Sequence, residues 1–438
     1  MPLESTGNTY GRAAAWLRRH RPDASLRRFG PRYPRAGSVA ALRQALAHPL
    51  GRPPLSTWLR QAASHSAGLL LVVNDTSRRT PTALVLERLL PRFERWGGAG
   101  RLRCLVATGT HAAPSGRARE RDGRTIFGRF WPALRQRTVW HDADSSELVP
   151  LPSRGKALAR FHPWIAGARY VFAIGSCEPH YFAGITGAHK TLTVGVMGRS
   201  DIERDHAHAL SPRSRPLGLR DNPVHRHQLR LLRALGAGRS LYAVNLLVDG
   251  GGGVAAAAAG SVRRSLAALV SEVRSTLGAR LPDPADLIVA QVTGPLGASL
   301  YQADKGIKNV EVAVRGGGAI VLLAPCPQGV GTAHFLDFLR RHRSLVQVRR
   351  KLRRRGYRLG DHKALRLLRL VEGRGIRLYG VCPGLPPEAA RAARITLCPD
   401  LSSALEAALA ATKRRPRVVW VDNAGEFALD RGGVGERS

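Results

Sequence analysis

The 438-residue sequence has no run of eighteen or more uncharged apolar residues, so no segment is apolar for long enough to cross a bilayer as a helix. Its opening residues lack the apolar core of a secretory signal, and the expected compartment is the cytoplasm. Cysteine is sparse: Cys104, Cys177, Cys326, Cys382 and Cys398 are widely separated and odd in number. No two of them stand at C-x-x-C or zinc-ligand spacing, which argues against a disulfide framework and a structural metal cluster. No G-x-G-x-x-G follows a strand with an acidic residue about twenty positions on, which argues against an ordinary nicotinamide-dependent dehydrogenase. Lysine is scarce too, with seven residues at 156, 190, 305, 308, 351, 363 and 413.

Arginine is what the sequence has in excess. Lysine and arginine total 69 against 31 acidic residues, a formal net charge of +38. The densest run, residues 340–355, predicts a basic helix. Its first reading is a solvated face, and its second is attraction to polyanions. No RNP signature, zinc finger or KH-type glycine loop accompanies it, so specific nucleic-acid binding is not expected.

Length and a hydrophobic share of 44% predict a sizeable core in more than one domain. Continuous apolar runs at 68–73, 101–107 and 170–175 read as buried parallel strands, each followed by a polar loop. A second series lies at 286–292, 318–324, 377–381, 395–397 and 417–422. The expected class is α/β: two α/β domains with an interdomain active-site cleft. Residues 1–65 form an N-terminal extension with helices, and 66–270 the first α/β domain. Residues 275–410 form the second, and 411–438 a strand able to return to the first domain, plus a tail. The four glycines at 250–253 are read as a turn entering a helix at 254–260. In open α/β sheets ligands gather beyond the carboxyl ends of the strands. Asp75, Arg78, His111 and His180 all follow such ends.

Those loops carry a specific resemblance. Asp75-Thr76-Ser77-Arg78 with Pro81, then Thr108-Gly109-Thr110-His111, stand in order along the chain. Glu178-Pro179-His180 continues through Ala183-Gly184 to Gly187-Ala188-His189-Lys190. Asp205-His206, Asn222-Pro223, Tyr301-Gln302 with Lys305, and Gly360-Asp361-His362-Lys363-Ala364 complete the set. Together they resemble the loops of the nickel-pincer-dependent lactate racemase family across residues 65 to 375. The resemblance implies a 2-hydroxy-acid racemase or epimerase that is cytoplasmic. Its cofactor is a nickel-pincer nucleotide, pyridinium-3,5-bisthiocarboxylic acid mononucleotide, covalently attached at Lys190, with His206 as the nickel ligand from protein. It further implies His111 and His180 as the acid–base pair, and Arg78, Tyr301, Gln302 and Lys305 as the substrate contacts. Asp75 organises the cofactor side. Partners are then a small 2-hydroxy acid and the cofactor-synthesis proteins, with no membrane. The alternative is a non-catalytic homologue that binds an anionic partner.

The residue types suit that chemistry. Histidine gives and takes protons near neutrality. A guanidinium grips a carboxylate bidentately, and an ammonium adds a point charge. In a chain that uses arginine for most of its positive charge, lysine at 190 and 305 suggests that amine chemistry or size matters there. His189 and His208 are expected to be supporting residues near the site, and His225 and His227 surface ones. The pattern departs from the family's at Ala188-His189, at Ala112 and at 295–299, which bears on the choice of 2-hydroxy acid more than on the reaction class.

Overall fold

The computed structural model describes residues 6–34, 38–153, 156–412 and 415–431. Two six-stranded sheets organise them. The first runs, edge to edge, through Val254–Gly260, Ser240–Val248, Tyr170–Ser176, Leu69–Asn74, Leu102–Ala107 and Thr138–Trp140. Its strands pair in parallel, except that Val254–Gly260 runs antiparallel to Ser240–Val248. Apolar runs without alternation suit such strands because both faces are covered. Leu69, Leu71 and Val73 pack with helices Leu55–Ser64 and Thr82–Arg95. Leu70 and Val72 pack on the other face with Leu192 and with Leu231, Leu232 and Leu235 of helix Pro223–Gly236.

The second sheet is parallel throughout and runs Ser25–Phe29, Arg417–Val421, Ala285–Gln291, Val314–Leu323, Arg377–Val381, Ile395–Leu397. Helices Leu300–Val310, Ala333–Arg341 and Asp361–Leu368 lie over one face. Thr6–His20 and Leu401–Leu409 lie over the other.

Three expectations are corrected. Strand Arg417–Val421 does not return to the first domain; it sits inside the second sheet, between Ser25–Phe29 and Ala285–Gln291. Val418 and Trp420 are buried on one face and Val419 and Val421 on the other, so an interior position satisfies both sides. The first 65 residues are likewise no separate extension, because Thr6–His20 and Ser25–Phe29 belong to the second body while Leu55–Ser64 covers the first. Residues 254–260 form an edge strand rather than a helix. Gly260 there has φ +115, and an added Cβ would stand 2.5 Å from the backbone nitrogen of Leu50. The basic run 340–355 divides at residues 342–344 into Ala333–Arg341 and Leu345–Arg355, with the Ser344 hydroxyl accepting from the Gln347 N–H. Beyond Arg431 the expected tail lies outside the described residues. No described helix is long and apolar enough to cross a membrane.

Candidate active site

A cavity of about 590 Å³ opens between the two bodies, and its wall contains Asp75, Arg78, His111, His180, Lys190, His206, Tyr301, Gln302 and Lys305. Every side chain expected at the site from the sequence therefore borders one space, contributed by loops and the helices Ala188–Leu192 and Arg199–Ala207 of the first body and by helix Leu300–Val310 of the second.

Local structure explains two glycines, one just before the longest motif and one within it. Helix Ala188–Leu192, which carries Lys190, lies so close to strand Tyr170–Ser176 that a Cβ on Gly175 would stand 2.3 Å from the Ala188 nitrogen. Gly184 has φ +82, and a Cβ there would meet the Gly218 carbonyl oxygen at 2.1 Å. Buried Asn245 accepts the Ala188 N–H at 2.8 Å and fixes the start of this helix. Thr191 donates to Asn74 at 2.8 Å, and Asn74 donates to Thr80 at 2.8 Å. The lysine helix is thus tied to the loop that bears Asp75 and Arg78.

The two histidines differ in setting. His111 is exposed, and its Nδ1 lies 2.6 Å from the Asp75 carboxylate. Asp75 also accepts from the Ser77 hydroxyl at 2.5 Å, so the residue expected on the cofactor side makes its close contacts to His111 and its own loop. His180 is buried, stacks on Tyr181 with ring centroids 5.2 Å apart, and accepts at Nδ1 from the Ala183 N–H. Its Nε2 is 3.1 Å from Lys190 Nζ. Burial, and then the charges of Lys190, Arg78 and Lys305, hold the His180 imidazole well below the ordinary histidine range.

Both lysines are driven toward neutrality. Burial, with Arg78 and Lys305 nearby, lowers Lys190 to about 7. Burial, with Arg78 and Lys363, lowers Lys305 to about 7 as well. The counter-charge is Glu178, whose role sequence reasoning missed. Its carboxylate accepts from Arg78 at 2.7 Å. Burial pushes Glu178 up, but Arg78 and Lys305 more than offset this and leave it below the ordinary carboxylate range. Its place inside the motif was the only sequence signal.

His206 lies in the last turn of helix Arg199–Ala207. Its Nδ1 is buried 3.3 Å from the Asp205 carboxylate without hydrogen-bond geometry. Asp205 is committed elsewhere, to His227 Nδ1 at 2.8 Å and Gln228 at 3.0 Å. Phe182 forms a post against which three imidazoles set their edges: His180 at 4.5 Å, His206 at 4.9 Å and His362 at 5.0 Å between centroids. His362 also borders the cavity and was given no role from sequence. It is held between two phenols, Tyr181 at 2.8 Å and Tyr357 at 2.7 Å. Lys363 donates to the Tyr301 carbonyl at 2.7 Å and lies 4.1 Å from the Tyr301 ring centroid. His189 is fully buried, edge-on to His225. His225 and His227 are not surface residues: the first is buried, and the second is half-buried and held by Asp205.

Comparison with known proteins identifies the family and the fold. A model of the lactate racemase N-terminal domain matches residues 28–216, and one of the lactate racemase C-terminal domain matches 282–423. A lactate racemase of Thermoanaerobacterium thermosaccharolyticum is 26% identical over 325 residues, 72% of each chain. One of Lactiplantibacillus plantarum is 25% identical over 301 residues, 67% of each chain. The solved lactate racemase apoprotein from T. thermosaccharolyticum shares the fold with a TM-score of 0.80 at 20% identity, covering 92% of this chain and 94% of that one. A Thermotoga maritima protein superposes with a TM-score of 0.64 at 15% identity, covering 87% and 98%. With both domain models matched in order along one two-domain fold, the chain belongs to the lactate racemase family and is an isomerase of the racemase class.

Proposed function

We propose that the protein racemises or epimerises a lactate-like 2-hydroxy acid by removing and returning the hydrogen of the carbinol carbon as hydride, using a nickel-pincer nucleotide attached at Lys190. The observation that carries this reading is the meeting of two imidazoles, His111 and His180, with the Lys190 amine and the Arg78 and Lys305 cations around one cavity.

The residues fit such a cofactor. An amine lowered to about 7 is substantially neutral, and so nucleophilic, at physiological pH. His206 borders the cavity, and its Nδ1 lies beside the Asp205 carboxylate, which leaves Nε2 as the nitrogen that could meet a metal. Among the described residues no three His, Cys, Asp or Glu side chains converge to hold a metal, so nickel beside His206 would take its other donors from the nucleotide's sulfur arms. When bound, the nucleotide supplies the electrophile that accepts and returns hydride, which side chains cannot provide.

The chain's own residues hold the substrate and move its hydroxyl proton. Arg78, fixed on one side by Glu178, offers its remaining N–H groups to the substrate carboxylate, and Lys305 adds a second positive group. Tyr301 and Gln302 close the same wall. One neutral histidine would take the hydroxyl proton of one enantiomer, and the other histidine, reaching the hydroxyl from its own side of the cavity, would serve the opposite enantiomer. Asp75 fixes the tautomer of His111, leaving its Nε2 as the working nitrogen.

Two measurements test this. Intact mass after co-production with the cofactor-synthesis proteins should show an adduct located at Lys190. Racemisation of a panel of 2-[²H] 2-hydroxy acids should retain the label. Wash-out of the label to solvent, or an unmodified lysine in a nickel-free protein, would overturn the reading.

A further inference from the structure

A second, smaller cavity of about 260 Å³ lies in the second body, lined from helices Ala333–Arg341 and Leu345–Arg355 and the turn that follows them. Four cations face it, Arg341, Lys351, Arg355 and Arg358, against the single carboxylate of Asp361. That carboxylate is already committed, since it is ion-paired with Lys351 and accepts the Arg358 backbone N–H at 2.7 Å. Arg341 has a loose, exposed partner in Asp337 at 3.7 Å. Among the described residues no carboxylate pairs with the guanidinium of Arg355 or Arg358. Lys351 is fixed rather than floating: its side chain is 12% exposed, and its ammonium also donates to the Gly356 carbonyl at 3.1 Å. The floor is aromatic, with Phe338 stacked on His342 at 4.4 Å between ring centroids.

Cations brought together around a concave, partly apolar site repel one another unless an anion joins them. Arginine in particular presents a planar fork that matches phosphate oxygens two at a time. We propose that this cavity binds a small phosphorylated molecule, with Arg355, Arg358 and Lys351 taking its phosphate groups and the Phe338–His342 stack carrying its remaining part. Its size, just below that of ordinary small-molecule pockets, suits a compact ligand rather than a polymer. Arg353, Arg354, Arg355 and Arg358 are all exposed, but only Arg355 and Arg358 border the cavity, which sets the site apart from the rest of the basic segment.

Isothermal titration of the purified full-length protein with inorganic pyrophosphate, at roughly 0.15 M salt where diffuse surface attraction is largely screened, tests the proposal. Saturable one-to-one binding is expected. Arg355→Gln with Arg358→Gln should weaken it by about tenfold or more, and Arg353→Gln with Arg354→Gln by less than about twofold. Thermal melting checks that both double variants fold, and a third variant, Lys351→Gln, provides an independent loss. Equal weakening by the two pairs, absence of saturable binding, or tighter binding of citrate than of pyrophosphate would overturn it. So would preference for a duplex oligonucleotide over pyrophosphate with Arg353 and Arg354 contributing equally, because that pattern belongs to a nucleic-acid surface.

Discussion

The direction of the bond between His180 and Lys190 follows from their surroundings. His180 accepts the Ala183 N–H at Nδ1, so its neutral ring carries the proton on Nε2 and offers it to Lys190 Nζ, 3.1 Å away. Only an unprotonated amine can receive it, in keeping with a Lys190 lowered to about 7. An amine-selective acylating reagent should therefore modify Lys190 in cofactor-free protein with a midpoint near pH 7. Peptide mass mapping across pH reads this directly, and an alkaline midpoint like that of a surface lysine would contradict it. At His111 the expected lesion is tautomeric. Asp75→Asn should lower reconstituted racemase activity on the order of 10²-fold with nickel content unchanged, as metal analysis beside the rate measurement would show. Motif residues of this kind were legible because their chemistry is local to a loop. Glu178 was not, because its partner Arg78 lies a hundred positions earlier and only folding brings the two within 2.7 Å.

Helix Pro223–Gly236 is held at its start by a single residue. Asn222 accepts from the Val224 and His225 N–H groups, and its amide donates to the carbonyls of Phe182 at 2.9 Å and Gly218 at 3.1 Å. It both caps the helix and anchors the loop that carries Phe182, the post shared by three imidazoles. Asn222→Ala should cost about 1 kcal/mol for the cap and a further 1–3 kcal/mol for the buried carbonyls left unpaired. Chemical denaturation measures the sum, and a loss below about 0.5 kcal/mol would refute the double role. The asparagine–proline pair was visible in the sequence, but its second set of partners was not. The same limit explains residues 254–260. A run of alanines favours helix on intrinsic propensity, yet here the strand Ser240–Val248 offers it a free edge and tertiary pairing prevails.

Across the whole molecule, two buried lysines make pH a lever on stability. Lys190 and Lys305 titrate near 7 when folded, against an ordinary lysine value of 10.5. Between those limits the unfolded chain binds more protons than the native one, so these two residues make stability rise with pH, and below 7 their contribution is flat. Urea denaturation at pH 7, 8 and 9 should show a shallower rise in a Lys190→Met, Lys305→Met double variant than in the parent, and identical slopes would rule the assignment out. The two-body architecture was legible from alternating apolar runs and polar loops, whereas strand order was not, because a buried strand reads the same wherever in a sheet it sits. Residues 25–29 and 417–421 are neighbours in the second sheet although all the other strands of both six-stranded sheets lie between them in sequence. On the ribosome the first sheet can therefore assemble early, while an arginine-rich strand waits uncovered for a partner made much later. Every residue that lines the cavity between the bodies precedes that partner in the chain, so the wall of the cleft is made before the sheet behind helix Leu300–Val310 is closed.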